Sequence, residues 1–598
     1  MDSALQGDAP FGPWNPGLQS QIPDRLRPLS TIFRPENVFT DIDSARELRD
    51  LTGLDYGELV AFRPERLALH ELLVRVTADI SVPDGPKIED LGINFRRITC
   101  VILAGYVEPR IDSIRSTYDA ARKELSELIE SELAALFPPQ PVAPPEAPKS
   151  LFGFLRRRSV ATPVPESAVG RERAIVAGWQ AKALSDGAPS HKAAYRALAR
   201  VVSALLVRHG ELWGGRALIS SLAMLLATNN HASDEIGRLL DSWVPEAANA
   251  EGYALLPRQL HPVVMNTKGA SASGKSTLRP LQRKLAGDIG ERWSEFALIS
   301  PDIWRKQLLD YALLGAAYKY GGAFTGEELD IIDHKLDRYM ARKAERGDMS
   351  HLLIDRFRFD SFAPDSEEAG SNLLTRFGQI VYLFFMITPP ASLVERAWDR
   401  GLEFGRYKAV DDTLAHGVEA YSGIPHLFFT WVARTDKRVH FEFLDNSVRL
   451  GERPRTVAFG RNDVLNVLDV GCMLDIERYR KVNVDARTPQ SLYEDKEVLA
   501  PDRNIGFLEQ CVHKFREVNF ADQLTGRIYL KIASGKQVWV DREALENAVR
   551  QRDTHAGLKA VAGEAFDLST PAAPGPHFLS ELAGAERIQT LGRWGTSA

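Results

Sequence analysis

The chain has 598 residues, of which 44% are hydrophobic and 26% charged, with a formal net charge of −6. This composition excludes a wholly disordered, collagen-like or disulfide-scaffold protein, and the acidic balance excludes nucleic-acid binding through a global basic excess, though not through a local basic surface. At roughly 100–200 residues per domain, the length amounts to about three to five domains.

Residues 1–23 are polar, with Pro and Gly and no apolar core of a secretory signal, and residues 1–30 read as flexible. The longest apolar run, 217–228, ends in Asn229-Asn230-His231 and reads as a buried helix, so no membrane span is expected and the location reads as cytoplasmic. Cys100, Cys472 and Cys511 lie far apart without metal-ligand spacing, which predicts free thiols in a reducing compartment and no zinc site.

Residues 1–137 carry mainly helical periodicity, with a strand expected near 98–103. An amphipathic helix is expected over 113–136, where Ile114, Tyr118, Ala121, Leu125, Leu128, Ile129, Leu133 and Leu136 recur mostly at three- and four-residue steps. Residues 138–170 read as a proline-rich linker, opened by Pro138, Pro139, Pro141, Pro144, Pro145 and Pro148, which can neither continue a helix nor pair in a central strand. The motif at 151–158, apolar and then triply basic, reads as solvated linker. Residues 171–250 return to helix. These N-terminal helices are expected to bind a protein partner or to self-associate.

From 251 to 460, apolar β-like runs alternate with helical ones, the signature of an α/β domain. The apolar run at 262–266 is followed by Gly269-Ala270-Ser271-Ala272-Ser273-Gly274-Lys275-Ser276-Thr277, a complete G-x-x-x-x-G-K-[ST] motif, and then by Leu278, Leu281 and Leu285 at helical spacing. In that motif, glycines let backbone N–H groups turn toward phosphate oxygens, the Lys reaches the β/γ-phosphates, and the Ser hydroxyl can ligate Mg²⁺. Strand, loop and helix stand in the required order, which predicts binding of ATP or GTP. A Gly/Ser-rich surface turn would not explain the flanking elements.

Four further strands are expected, at 296–300, 351–355, 379–387 and 439–444. The first leads to Ser300-Pro301-Asp302, placing a carboxylate at the carboxyl edge of a parallel sheet, where it can accept a hydroxyl proton. The competing role for Asp302 is a helix N-cap. Arg305, one turn on, could pair with an anionic substrate group. Asp355, ending the second apolar run, is placed to hold Mg²⁺ through water, together with Ser276. After the run at 379–387 come Arg396 and Arg400, four residues apart, then Gly401, Gly405 and Arg406. Arg400 and Arg406 flank a glycine hinge suited to a lid that closes over a transferring phosphate. Arg396 reads as part of a solvated basic face. A helix is expected from 410, ended by Pro425. Asp445 and Asn446 are expected to border a nucleotide base, and His416 and His440 to be structural.

The order of these features resembles the zeta-toxin family of P-loop kinases. The resemblance is carried by residues 269–277, by Ser300-Pro301-Asp302 with Arg305, and by the stretch from Arg400 to Arg406, within about residues 258–450. It implies a P-loop NTPase core, a parallel sheet flanked by helices. It also implies ATP and Mg²⁺ bound through Lys275 and Ser276, Asp302 as base, and Arg400 and Arg406 gripping the phosphates. In that family the acceptor is a UDP-activated amino sugar, and the setting is a toxin–antitoxin system. For this chain it implies transfer of a γ-phosphate to a hydroxyl of a nucleotide-sugar-like or other small acceptor. The alternatives are a nucleotide-dependent ATPase switch or partner-binding regulator, and a degenerate scaffold, against which intact Lys275, Ser276 and Asp302 argue.

Residues 461–556 read as a small C-terminal α+β extension with a hairpin turning at Ser534-Gly535, and 557–598 as a flexible tail.

Overall fold

The computed structural model describes residues 11–137, 168–356, 375–449, 451–562, 571–582 and 589–595. Most of the proline-rich linker, including the motif at 151–158, lies outside the described residues. The chain forms two compact units. One comprises Pro28–Leu72 and Ile102–Val244. The other comprises Leu73–Val101 and the chain from Pro245 on, with the N-terminal stretch up to Arg27.

The first unit is helical. The expected amphipathic helix is Ile111–Leu136, and it buries Ile114, Tyr118, Ala121, Leu125, Ile129, Leu133 and Leu136. Its far end packs with Trp179, Leu198, Val202, Leu205 and Leu222 from the helices Ala168–Ser185, Pro189–His209 and Arg216–Glu251. Each such Leu or Ile contributes about 1.5–3 kcal/mol on full burial. Trp179 Nε1 donates to Glu132 at 2.8 Å, so the ring is buried with its polar edge satisfied.

The second unit is built on one ten-stranded sheet in the order β10-β9-β8-β7-β6-β5-β4-β1-β3-β2. The first five strands are β1 (Val263–Lys268), β2 (Phe296–Ile299), β3 (His351–Ile354), β4 (Ile380–Ile387) and β5 (Arg438–Asp445). They are mutually parallel, with Val264 of β1 level with Leu352 on one side and Val381 on the other. β1 to β3 are buried throughout, as parallel strands covered on both faces must be. After β1 the chain runs to β2 and β3 on one side, then crosses to β4 and β5 on the other. The direction reverses at β1, and the carboxyl end of such a strand opens into a crevice.

The remaining strands correct the domain boundaries expected from sequence. β6 (Arg455–Arg461), β7 (Val464–Val467), β8 (Glu517–Ala521), β9 (Ile528–Ala533) and β10 (Lys536–Val540) continue the same sheet, mostly antiparallel. The stretch 461–556 is therefore part of the sheet rather than an appendage. Phe428, Phe441, Phe443, Phe507 and Phe515 share one core across that boundary. The expected hairpin joins β9 to β10, with Ser534 and Gly535 at φ 49° and 71°, the left-handed pair that matches strand twist. Part of the supposed flexible tail is also packed: Leu579 and Trp594 are buried, and Trp594 stacks on Phe459 at 4.9 Å.

Three more expectations fail for identifiable reasons. The strand near 98–103 is instead the end of the helix Asp90–Ile102. Its short apolar run buries Ile98 and Ile102 four residues apart, a spacing that a run this short does not resolve from a strand. The helix from 410 does not stop at Pro425 but runs as Val410–Val432. Leu427, Phe428 and Trp431 are buried beyond the proline, which outweighs the roughly 3 kcal/mol cost of Pro in a helix. Residues 11–20, expected to be flexible, form a strap. Lys319 Nζ donates to Pro16 O at 2.8 Å and sits 3.9 Å from the Phe11 ring centre. Ser20 Oγ donates to Asp411 at 2.7 Å, and Trp14 packs beside Val394, Val410 and Leu414.

The segment 73–101 also belongs to the sheet unit. Trp304 Nε1 donates to Thr77 Oγ1 at 3.1 Å, Tyr339 Oη donates to Asp79 at 2.6 Å, and Ser81 Oγ donates to Ser294 O at 2.6 Å.

Candidate active site

The five parallel strands end on one edge, and the residues just beyond them make the site: Gly269, Asp302, Asp355, Thr388 and Asn446. Residues 269–277 pass from β1 through a 3₁₀ turn, Lys275–Leu278, into the helix Arg279–Asp288. That helix is pinned to β1 by Gln282 Nε2 donating to Thr267 Oγ1 at 2.8 Å. Gly274 is at φ 92°, and a Cβ there would lie 2.3 Å from Asn446 Nδ2. Both facts require glycine. Ala272, also at positive φ, is the strained non-glycine position of the loop. Lys275 Nζ donates to the carbonyls of Gly269 and Ala270, each at 3.0 Å, so the amine lies over the loop. Burial pulls its pKa down, opposed first by Asp355 and then by Asp302.

The loop is braced from the neighbouring strands. Asn446 Nδ2 and Thr388 Oγ1 both donate to Ser273 O, at 2.8 and 3.2 Å. Tyr421 Oη in turn donates to Thr388 O and accepts from Thr388 N, both at 2.8 Å. Asn446 therefore holds the 269–277 loop itself, a role its sequence position beside β5 did not announce. Asp445 turns to Arg455.

Asp302 sits in a 3₁₀ turn, Pro301–Trp304, and does not cap it. Its Oδ1 accepts from Arg305 Nε at 2.8 Å and its Oδ2 from Arg406 at 2.9 Å. Burial would raise its pKa, but Arg305 and then Arg406 outweigh that and hold the carboxyl well below the usual carboxylate range. The side chain remains 48% exposed and opens onto the cavity described below. Arg305 is fixed by two further bonds, to Gly322 O at 2.7 Å and Thr325 Oγ1 at 2.9 Å. It is a positioning arm for Asp302 more than a free substrate clamp.

Asp355 follows β3, its N–H donating to Ile299 O at 2.9 Å, and its Oδ2 accepts from Ser276 Oγ at 2.8 Å. A hydroxyl and a carboxylate in contact suit Mg²⁺, which keeps several waters and takes its other ligands from substrate phosphates. Among the described residues no cluster of three or more His, Cys, Asp or Glu could hold a metal alone.

Arg400 and Arg406 come from the helix Pro390–Phe404 and the turn after Gly405, which is at φ 69°. Arg400 Nε is buried without a hydrogen-bond partner among the described residues. Burial, and next the positive charge of Arg406, lower its pKa to about 10. Arg396 is not a solvated residue: its guanidinium donates to Asn446 O at 2.7 Å and Val448 O at 3.0 Å. His416 lines the same cavity, kept neutral by burial at about 3 and hydrogen-bonded to Lys408.

These groups face one cavity of about 1070 Å³. Among the described residues it is lined by fifteen Lys and Arg side chains against ten Asp and Glu, in a chain whose net charge is −6. Glu89, 3.7 Å from Arg406 and 3.9 Å from Lys306, is a wall residue that sequence reasoning missed. It precedes the loop by about 180 residues and stands in no motif. The three cysteines are free, with Cys472 and Cys511 buried and Cys100 exposed. No helix among the described residues is long and apolar enough to cross a membrane.

No known family model, curated protein or solved structure matches this chain. The functional reading therefore rests on the geometry above.

Proposed function

We propose that the protein is an ATP-dependent phosphotransferase of the P-loop kinase type, resembling the zeta toxins, which moves a γ-phosphate to a hydroxyl of a small acceptor. The observation that carries this reading is a juxtaposition. The loop 269–277 lies at the carboxyl end of β1, where the strand order reverses. Asp302, Arg305, Arg400 and Arg406 line the same cavity.

The loop's N–H groups and Lys275 bind the donor phosphates. Ser276 and Asp355 would hold Mg²⁺, which when bound neutralises charge on the phosphate oxygens. Asp302 accepts the hydrogen bond of the acceptor hydroxyl. As that oxygen bonds to the γ-phosphorus, the bond between the phosphorus and the β–γ bridging oxygen breaks, ADP leaves, and the hydroxyl proton passes to Asp302. A carboxylate with a lowered pKa is a weak base, so its main work is orientation, in keeping with a loose phosphoryl transition state. Arg406 now bonded to Asp302, and Arg400 with an unused Nε, are the donors that stabilise the transferring group.

Incubation with γ-labelled ATP and a metabolite extract should label one small species. Asp302→Asn should abolish labelling while nucleotide binding persists, and Lys275→Ala should abolish both. ATP hydrolysis without a labelled acceptor, stimulated by a macromolecular partner, would instead favour the switch reading.

A further inference from the structure

The strap at 11–20 has no part in the chemistry above, yet Leu18 and Gln19 line the cavity. Its path is set by its own residues. Gly12 and Asn15 exchange two backbone hydrogen bonds, each at 3.0 Å, and the turn between them lets Phe11 lie against Gly17. A Cβ on Gly17 would fall 2.4 Å from the Phe11 ring and 3.0 Å from Lys319 Nζ, and Gly17 stands at φ 74°, so this position requires glycine. A Cβ on Gly12 would meet open space. The strap lies outside every regular helix and strand, and Phe11 is 61% exposed. Such segments form the low-stability end of a structure, from which active-site lids are drawn.

The strap's anchors fall on the segments that hold Asp302. Lys319 Nζ donates to Pro16 O at 2.8 Å, and Gln19 N donates to Tyr320 Oη at 3.2 Å. Two residues further on, Gly322 O accepts from Arg305, which itself bonds Asp302. Lys319 Nζ also lies 3.9 Å from the ring centre of Phe11, 5.3 Å from that of Tyr407 and 5.9 Å from that of Trp398. Tyr407 follows Arg406, the other partner of Asp302. One ammonium thus joins the strap, the helix Pro390–Phe404 and the turn carrying Arg406, all within the roughly 6 Å reach of cation–π attraction. Past that turn, Ser20 Oγ donates to Asp411 and Trp14 packs beside Val394 and Val410.

We propose that residues 11–20 are a gate on the Asp302 side of the cavity. Docked, the strap walls that side with Leu18 and Gln19 and holds the turn carrying Arg406. Undocked, it opens the way for the acceptor to Asp302, and redocking shuts water out before transfer. This rests on the phosphotransferase reading and adds the acceptor's route of entry, while the loop 269–277 keeps its nucleotide in either state.

The test uses the full-length protein and two alanine variants. Gly17→Ala strains the strap while leaving its anchoring side chains in place, and Gly12→Ala is the control. Hydrogen exchange reads the docking of 11–20. The rate of phenylglyoxal labelling, located by mass spectrometry, reads access to Arg305 and Arg406. Gly17→Ala should raise exchange across 11–20 and labelling of both arginines at least about fivefold. Affinity for a fluorescent ATP analogue should change less than about twofold, and Gly12→Ala should match the wild type throughout. Faster exchange without faster labelling would overturn the proposal, as would a loss of analogue affinity in step with strap release, which would place the strap over the donor. If Gly17→Ala leaves the strap docked, Phe11→Ala combined with Trp14→Ala removes both ring anchors, and unchanged labelling in that variant also overturns the gate. Strap-dependent labelling in a protein that takes no nucleotide would keep the gate and sink the kinase reading.

Discussion

Asn446 and Gly274 depend on one another. The amide of Asn446 occupies the space a Cβ would need at position 274, and its bond to Ser273 O keeps the loop open. Replacing Asn446 by Ala removes one bond worth about 1 kcal/mol to stability, yet lets the loop collapse onto its own carbonyls. We expect nucleotide affinity to fall about tenfold with little change in Tm; a fluorescent-nucleotide titration beside a melting curve checks this, and unchanged affinity would remove Asn446 from the loop's support. Residues of this kind mark the limit of what sequence can say. The loop, Asp302 and Asp355 were legible because their chemistry is written in contiguous motifs. Asn446 and Glu89 were not, because each acquires its place in the site from strands and turns brought beside it by the sheet order.

At the scale of elements, the five parallel strands could be read as apolar runs, since burial on both faces leaves no polar alternation to confuse. What could not be read was how far burial overrides local rules, as at Pro425, or which low-complexity stretches find a surface. The strap at 11–20 is the clearest case. It joins Lys319 to Asp411 and Val410, and Leu18 and Gln19 line the cavity itself. Loosening it with Phe11→Ala removes a cation–π contact of about 0.5–2 kcal/mol. We expect faster hydrogen exchange across 311–320 and 402–411 than in the wild type. Equal exchange in both segments would mean the strap only decorates the surface.

For the whole molecule, the sheet is the unit of stability, and its second half was mistaken for an appendage because β6 to β10 share no motif with β1 to β5. Glu442 of β5 connects that half to the far end of the chain. Its carboxylate accepts from Leu591 N at 2.6 Å, Gly592 N at 2.9 Å and Thr456 Oγ1 at 2.7 Å. Burial nevertheless pushes its pKa from 4.5 up to about 7. Between those values the folded state keeps a proton that the unfolded state has lost. Stability from this group is thus full below about pH 4.5 and falls as pH rises through about 7. Glu442→Gln, neutral throughout, should flatten the decline of Tm between about pH 5 and pH 8; a decline parallel to wild type would assign it to other groups. The same contacts govern the order of assembly. Residues 591–592 reach back about 150 positions to β5, and the strap waits for residues about 300 and 390 positions ahead of it. Contacts so distant in sequence form late. During synthesis the strap therefore stays undocked until residues 319 and 411 have been made, and the buried carboxylate of Glu442 has only Thr456 of these three partners until residues 591–592 have followed.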